Sequence, residues 1–556
     1  MNKKVCSFPI LFALLALLIG TCAVVFPASA QAAPTSTGSI TVSGTVASSY
    51  DAYQIFSANV VDGDSDAKIA TDLAWVSDAV RDAALPVLHS AGMPNSQTTA
   101  QEAAEWLNTD SHLTSALSAQ LARSLQSSGA VFVALNAGTA AELHCGYWLI
   151  VADDDAIAQG EVGTAPIMAL VGGSAVTVKP KAATPKVSKH VLEDGTAAWQ
   201  KAADATVADD LYWRLSATVP AGLTAYDTYA VRFVDTMSAG LDPSKVAASM
   251  RVYVAAGADG GFDAVSAGRD GRAGTEPAKG WTDITAQCAT KVAADGKTFT
   301  VRTGDLIAAL GGTEAFTAGA RVVAVYNAPL ASGCNHGIAK GNPNEVYLRY
   351  PRSPLSDQSG DAGFTRTPSD DATAYTWDLA LTKRGSDGDK PLAGAVLSIA
   401  DDRGRTLAAD GTWDAEGKAT VTTGEDGRVT VSGVDSGKLE VRELKAPKGY
   451  NAFEGTRSVT VKAEGLDVDQ VAAAKPKLTI TAESPLRADS ADGSTGSLEA
   501  SLINTPTGTP PSITTGGFMP STGDMAMYAA AAAAVTGAAL IVVALLVKRG
   551  GGSHKE

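Results

Sequence analysis

Cysteine is scarce in this chain, with five in 556 residues. Two of them, Cys6 and Cys22, fall in an apolar N-terminal stretch, which leaves Cys145, Cys288 and Cys334. An odd number excludes a disulfide framework as the main staple. Cys288 and Cys334 fall in one expected domain and could pair; a free buried thiol at each is the alternative. Positive charge is also short. Lys and Arg number 44 against 59 Asp and Glu, a net charge of −15. That excludes a nucleic-acid partner, because phosphate binding needs a basic face. The six histidines are scattered without metal-ligand spacing. No phosphate loop, Ser-centred elbow or paired-His motif is present. Asp62-Gly63-Asp64-Ser65-Asp66 starts like a calcium loop, but Ala67 and Leu73 stand where Gly and Glu are required. The expectation is no metal, no cofactor and no enzyme acting on an external substrate.

Long apolar runs occur only at the two ends. Lys3 and Lys4 precede an apolar run from Phe8 to Phe26, and Ala28-Ser29-Ala30 forms a small-x-small cleavage site. Residues 1–30 therefore read as a signal peptide, with the mature chain starting near Gln31. A lipidated Cys22 is disfavoured by Thr21 before it. Met525 to Val547 is apolar, and about 23 residues at 1.5 Å rise give a helix of about 34 Å, enough to cross a bilayer. Lys548 and Arg549 follow in a short tail, 548–556, expected on the cytoplasmic side. Just before the span stands Met519-Pro520-Ser521-Thr522-Gly523. This order closely resembles the cell-wall sorting signal of Gram-positive surface proteins, whose usual motif is Leu-Pro-x-Thr-Gly. The resemblance implies that a sortase cleaves between Thr522 and Gly523 and passes the Thr522 carbonyl to an amine. Met519 replaces Leu, a swap of similar-sized apolar residues. A plain membrane anchor is the alternative.

Roughly 490 residues lie between the two processing sites, enough for about three domains. Residues 36–181 open with the strand-like Ser39-Ile40-Thr41-Val42 and Ala52-Tyr53-Gln54-Ile55-Phe56. Residues 78–130 switch to helical spacing, rich in Ala and Leu, and Gly146 to Val151 returns to strand. The first domain is thus α+β with a helical insert. Residues 185–354 are mostly strand patterns with Gly- and Asp-rich turns. A linker, 355–372, carries the Ser356–Gly363 stretch. Residues 373–506 are short strands with turns, the pattern of a β-sandwich. Residues 507–524 are rich in Pro, Thr and Gly and read as an extended stalk through the wall ending in the sorting motif.

In the last domain three polar residues each close an apolar stripe. Tyr375, Trp377, Leu379, Leu381 and Lys383 share one face, because strand side chains alternate. Leu439, Val441 and Glu443 share another, and Leu498, Ala500, Leu502 and Asn504 a third. If buried, the three would need one another. A desolvated Lys loses its proton more easily and a desolvated Glu keeps its own. Neutral Lys383 can then attack the Asn504 side-chain carbonyl, with Glu443 polarising it and moving protons as ammonia leaves. Spacing alone equally allows three strand ends meeting solvent. Leu439 to Tyr450 resembles the E-box of sortase-assembled pilins, Tyr-x-Leu-x-Glu-x-x-x-Pro-x-Gly-Tyr, without its first aromatic. Lys383 followed by Pro391-Leu392-Ala393-Gly394-Ala395 resembles the start of a collagen-adhesin B-type domain, and Asn504 matches its terminal Asn. The resemblance implies a Lys383–Asn504 isopeptide bond with Glu443 as catalyst.

The middle domain repeats the pattern incompletely. Lys189 and Asp235 again stand on apolar stripes, and Val346, Leu348 and Tyr350 form a third whose next inward position is Arg352. Gly341 to Tyr350 resembles the end of the middle domain of fimbrial shaft proteins, in which an Asn-containing stretch follows the Tyr. Pro351-Arg352-Ser353 stands there instead. The expectation is a domain without the usual bond, in which Asp235 pairs with Lys189 or Arg352.

Val176-Thr177-Val178-Lys179-Pro180-Lys181 resembles the pilin motif of shaft subunits, Val-x-Val-Tyr-Pro-Lys, with Lys179 in place of the aromatic. In that family the motif lysine attacks the sortase acyl intermediate, which implies Lys181 as acceptor and Lys179 as its substitute. Pro180 keeps the segment extended. A basic interdomain linker is the alternative. The chain as a whole resembles a major shaft pilin of Gram-positive bacteria: mainly β, with tandem Ig-like or collagen-adhesin B-type sandwiches. The resemblance implies sortase, identical subunits stacked head to tail, peptidoglycan and an unidentified host ligand as partners. It implies an exported, wall-anchored subunit serving adhesion and surface display. A monomeric wall-anchored adhesin is the alternative, and an uncleaved membrane protein a third reading.

Overall fold

The computed structural model describes residues 36–508 apart from 45, 65–66, 110, 181–182 and 258–279. The signal segment, Lys181, the sorting motif Met519–Gly523 and the span 525–547 lie outside the described residues. Among the described residues no helix is long and apolar enough to cross a membrane.

The N-terminal part is the expected mixture of strands and helices. Its helices Asp78–Ser90, Ala100–Asn108 and Ser115–Ser128 start at Ser77, Thr99 and Thr114, whose hydroxyls accept a backbone N–H of the first turn. Thr99 and Glu102 form a reciprocal capping box. The last helix stops at Gly129, whose φ of 69° is cheap only without a Cβ. The strand Ser49–Asp62 is the spine of a sheet with Lys68–Trp75, Val133–Asn136, Gly146–Ala152 and Ile167–Val171. Its Tyr53 and Ile55 pack under helix residues Val80, Leu88, Leu121 and Leu125, whereas Tyr50 and Ala52 pack with Ile40 and Val42 on the other side. Thr37–Val42 lies between Ala140–His144 and, in parallel, Val176–Val178.

The middle part is a sandwich of two sheets. One runs Ala198–Gln200, Val187–Glu193, Tyr212–Val219, Ala320–Asn327, Arg251–Ala256, Thr282–Asp283. The facing sheet runs Ala202–Asp204, Asp370–Tyr375, Asn342–Pro351, Arg232–Met237, Thr298–Arg302, Ala289–Val292. Trp213, Phe233, Phe299, Tyr326, Leu348 and Tyr350 fill the space between them. Two elements differ from the sequence reading. Phe364–Arg366, inside the expected linker, pairs with the end of Asn342–Pro351. Asp370–Tyr375, expected at the linker's end and the start of the last domain, pairs with Asn342–Pro351 in the middle sheet. Its inward Ala372 and Ala374 join the middle core, and the chain crosses to the next core at Tyr375.

The C-terminal part is a second sandwich. One sheet runs Arg428–Val434, Trp377–Gly385, Ser497–Asn504, Leu486–Asp492; the other centres on Val396–Ala400, Gly437–Lys445, Thr456–Glu464 and Lys477–Ala482. Trp377, Leu379 and Leu381 meet Leu397, Ile399, Val441, Val459 and Leu498 between them. The domain's first and last long strands lie side by side and parallel, with Lys383 opposite Leu502 and Gly385 opposite Asn504. That register puts Lys383 and Asn504 on one inward face, two residues apart.

Candidate functional site

Lys383, Glu443 and Asn504 meet in the C-terminal core. Lys383 is 0% exposed, and Asn504 and Glu443 are buried with it. Lys383 Nζ lies 2.9 Å from Glu443 Oε1 and donates a hydrogen bond to Asn504 Oδ1. Asn504 Nδ2 donates to both Glu443 oxygens, at 2.9 and 3.0 Å. The Phe453 amide donates to Glu443 Oε2 at 3.1 Å, and the Phe453 ring covers the amine at 5.8 Å. Burial draws Lys383 down from its ordinary 10.5 to about 8, against the opposing pull of Glu443. An amine with a weakened hold on its proton thus touches an amide carbonyl. A carboxyl group reaches both the amine and the nitrogen that would leave. The three strand ends do not meet solvent.

This lowered value gives a pH prediction for the Asn504→Ala chain, which keeps Lys383 as a free amine. Its folded state holds fewer protons than the unfolded chain between about pH 8 and 10.5. Stability therefore rises with pH across that window and carries its full penalty below it. Urea denaturation at pH 7 and pH 10 is expected to narrow the gap to the parent chain by on the order of 2 kcal/mol. An unchanged gap means Lys383 does not titrate there.

The middle core holds a second cluster. Lys189 and Asp235, both 0% exposed, form an ion pair. Lys189 Nζ donates to the Tyr326 hydroxyl at 2.8 Å, and that hydroxyl donates to Asp235 Oδ2 at 3.0 Å. Asn344 Nδ2 donates to the same hydroxyl at 2.8 Å. Asp235 and Asn344 come from neighbouring strands of one sheet, Lys189 and Tyr326 from the sheet facing it. Burial draws Lys189 down to about 8 and pushes Asp235 up, with each partner opposing the other's shift.

Of the three middle-domain positions, the structure brings Lys189 and Asp235 together but not Arg352. Arg352 lies past the end of the strand Asn342–Pro351, so alternation no longer applies to it. Its guanidinium donates to the Asp154 carbonyl at 2.8 Å, on the N-terminal domain. Asn344 takes the inward place instead. Carrying the stripe of Val346, Leu348 and Tyr350 back two residues would have found it; the alternating burial of the strand begins at Asn342. The Cys288–Cys334 pairing is also corrected: both thiols are free. Cys288 donates to the Ile284 carbonyl at 3.2 Å beside an edge strand, whereas Cys334 packs near Gly240 in the loop before Asn342. Burial pushes each thiol up to about 11. Cys145 is free and buried.

Lys179 is exposed just past Val176–Val178. A carboxyl cluster unanticipated from sequence lies where the two sandwiches join. Glu193, Asp194 and Asp435 bring oxygens within 4.8 Å of one another, and burial pushes Glu193 up to about 8. Arg403 bridges Asp194 and Asp209, across the same joint.

Residues 378–475, which hold Lys383 and Glu443, match the family described as SpaA, prealbumin-like fold domain. Among curated proteins, the trypsin-resistant surface T6 protein of Streptococcus pyogenes serotype M6 is 30% identical over 129 residues. That match covers 22% of this chain and 22% of the relative's length. Among solved structures, the T6 backbone pilin of Streptococcus pyogenes is 16% identical, with 85% of this chain and 98% of that chain covered and a TM-score of 0.46. The major pilin SpaD of Corynebacterium diphtheriae is 16% identical over the same shares, with a TM-score of 0.41.

Proposed function

We propose that this chain is the major pilin subunit of a covalently polymerised, cell-wall-anchored fimbria. The observation that carries the reading is the buried Lys383–Glu443–Asn504 cluster, which joins the first and last long strands of the domain. The SpaA-domain match over residues 378–475, which hold Lys383 and Glu443, supports it, as does the T6 relative. Lys383, made neutral by passing its proton to Glu443, attacks the Asn504 Cγ. The Cγ–Nδ2 bond then breaks, and Glu443 returns a proton to the departing ammonia while taking one from the Lys383 nitrogen. The chain acts on itself once, and no external substrate is turned over. Against the expectation of a middle domain without the bond, we read its cluster in the same way: Lys189 joins Asn344, which precedes the Tyr350 end of its strand, with Asp235 as the acid.

Assembly follows from the two ends. A sortase cleaves after Thr522 and transfers it to Lys181 of the next subunit, giving an open head-to-tail filament. The last subunit passes to peptidoglycan, and the span 525–547 holds the precursor in the membrane until cleavage. The filament displays subunits at the cell surface for adhesion to a host ligand. Lys181→Ala is expected to abolish the ladder of high-mass species in wall extracts run under denaturing conditions. A ladder unchanged in that variant sinks the acceptor assignment.

A further inference from the structure

The two clusters differ in how the acid meets the nitrogen that must leave. In the C-terminal cluster Glu443 holds Asn504 Nδ2 directly, with both oxygens within 3.0 Å. In the middle cluster the acid is Asp235, one methylene shorter. Its Oδ2 is engaged by Lys189 and Tyr326, and its Oδ1 has no hydrogen-bond partner among the described residues. The partner of Asn344 Nδ2 is the Tyr326 hydroxyl, at 2.8 Å. That hydroxyl is 0% exposed and bonds the amine, the acid and the amide together. The Tyr326 ring is fixed edge-on against Phe299, 4.8 Å between centroids.

We propose that Tyr326 is a catalytic residue of the middle domain, relaying a proton from Asp235 to the departing nitrogen of Asn344. The inference rests on the reading of Lys189 and Asn344 as a bond-forming pair. Lys189 first gives a proton to Asp235. Its nitrogen then bonds to Asn344 Cγ, and the carbonyl π pair moves to Oδ1. As the pair returns, the Cγ–Nδ2 bond breaks. Nδ2 takes the Tyr326 proton, Tyr326 takes the Asp235 proton, and Asp235 recovers one from the Lys189 nitrogen. One ammonia leaves; Tyr326 ends as it began, and Asp235 ends holding the proton that Lys189 gave up. Burial raises Tyr326 well above its ordinary value, so the hydroxyl keeps a proton to pass on. The longer Glu443 needs no such intermediary.

The test is intact-mass spectrometry, with tryptic mapping, of the full chain made in cells lacking sortase. The parent chain is expected to lack two ammonias. Tyr326→Phe keeps the ring and is expected to lack one, with the Lys189–Asn344 bond forming about a hundredfold more slowly and the Lys383–Asn504 bond unaffected. Adding Asp235→Glu to Tyr326→Phe should restore the second loss, because the longer carboxyl reaches the amide. Two ammonias lost by Tyr326→Phe at the parent rate overturn the relay. So does a missing bond that Asp235→Glu fails to rescue, which assigns Tyr326 to packing alone. A parent chain lacking only the Lys383–Asn504 ammonia overturns the relay together with the reading of Lys189 and Asn344.

Discussion

Glu443→Ala is expected to yield a chain that retains the ammonia of Asn504 and has no Lys383–Asn504 crosslink. The carboxyl is the group that touches both the attacking amine and the leaving nitrogen. Without it Lys383 has no nearby acceptor for its proton, and the departing nitrogen has no donor. Two losses of stability add. The crosslink closes a loop whose ends are 121 residues apart, worth at most about 5 kcal/mol in the chain-entropy treatment. The free amine is left buried without its acid, a cost of about 3–5 kcal/mol. The mechanical effect is larger. On the proposed reading, tension in the parent chain passes through the link between adjacent parallel strands, and the residues between them stay folded. In the variant those strands can slide apart, so single-molecule pulling should record the extension of this whole domain. A Glu443→Ala chain that still lacks the ammonia removes Glu443 from the chemistry.

Lys189→Met is expected to be the second severe change. It removes the amine proposed to attack Asn344 and leaves Asp235 buried beside Tyr326 with no cation. In a crosslinked parent Lys189 is an uncharged amide, so the loss is that of the Lys189–Asn344 link, worth at most about 5 kcal/mol in the chain-entropy treatment. The loss depends on pH. Burial already holds Asp235 above its ordinary value of 3.8, and without Lys189 it goes higher. The folded state then binds a proton that the unfolded chain has released, so stability falls as pH rises from about 4 toward the folded value. Denaturant melts of Lys189→Met at pH 5 and pH 7 should show greater stability at pH 5. Asp235→Asn added to it should remove the slope. A slope that survives the double change places its source elsewhere.

Much of the C-terminal cluster was legible because each of its residues extends an unbroken apolar alternation. Trp377 to Lys383, Leu439 to Glu443 and Leu498 to Asn504 all keep the period of two, and these positions are buried in the fold. The helical insert was legible through its Ala- and Leu-rich spacing. The middle cluster was half legible. Pro343 breaks the reading of its strand, since proline lacks a ladder donor and weakens a strand assignment. In the structure Pro343 faces outward, while Asn342 and Asn344 on either side face the core. The stripe therefore starts earlier than an alternation begun at Val346. Tyr326 was visible only as one member of an apolar strand. Its role depends on what stands across the sandwich, and no single-strand pattern encodes that. Arg352 misled for the converse reason: the period was carried past the residue where the strand stops. The linker misled because a Gly-, Ser- and Asp-rich stretch says nothing of Phe364–Arg366, which pairs with the middle sheet.

The central claim is that Thr522 of one subunit is joined to Lys181 of the next. Peptide mass spectrometry of protein released enzymatically from the cell wall tests it most directly. The account predicts a branched peptide in which the Thr522 carboxyl is bonded to the Lys181 amine. Thr522 found only on peptidoglycan fragments would contradict it, and the chain would then be a monomeric wall-anchored adhesin with Lys179-Pro180-Lys181 as a linker.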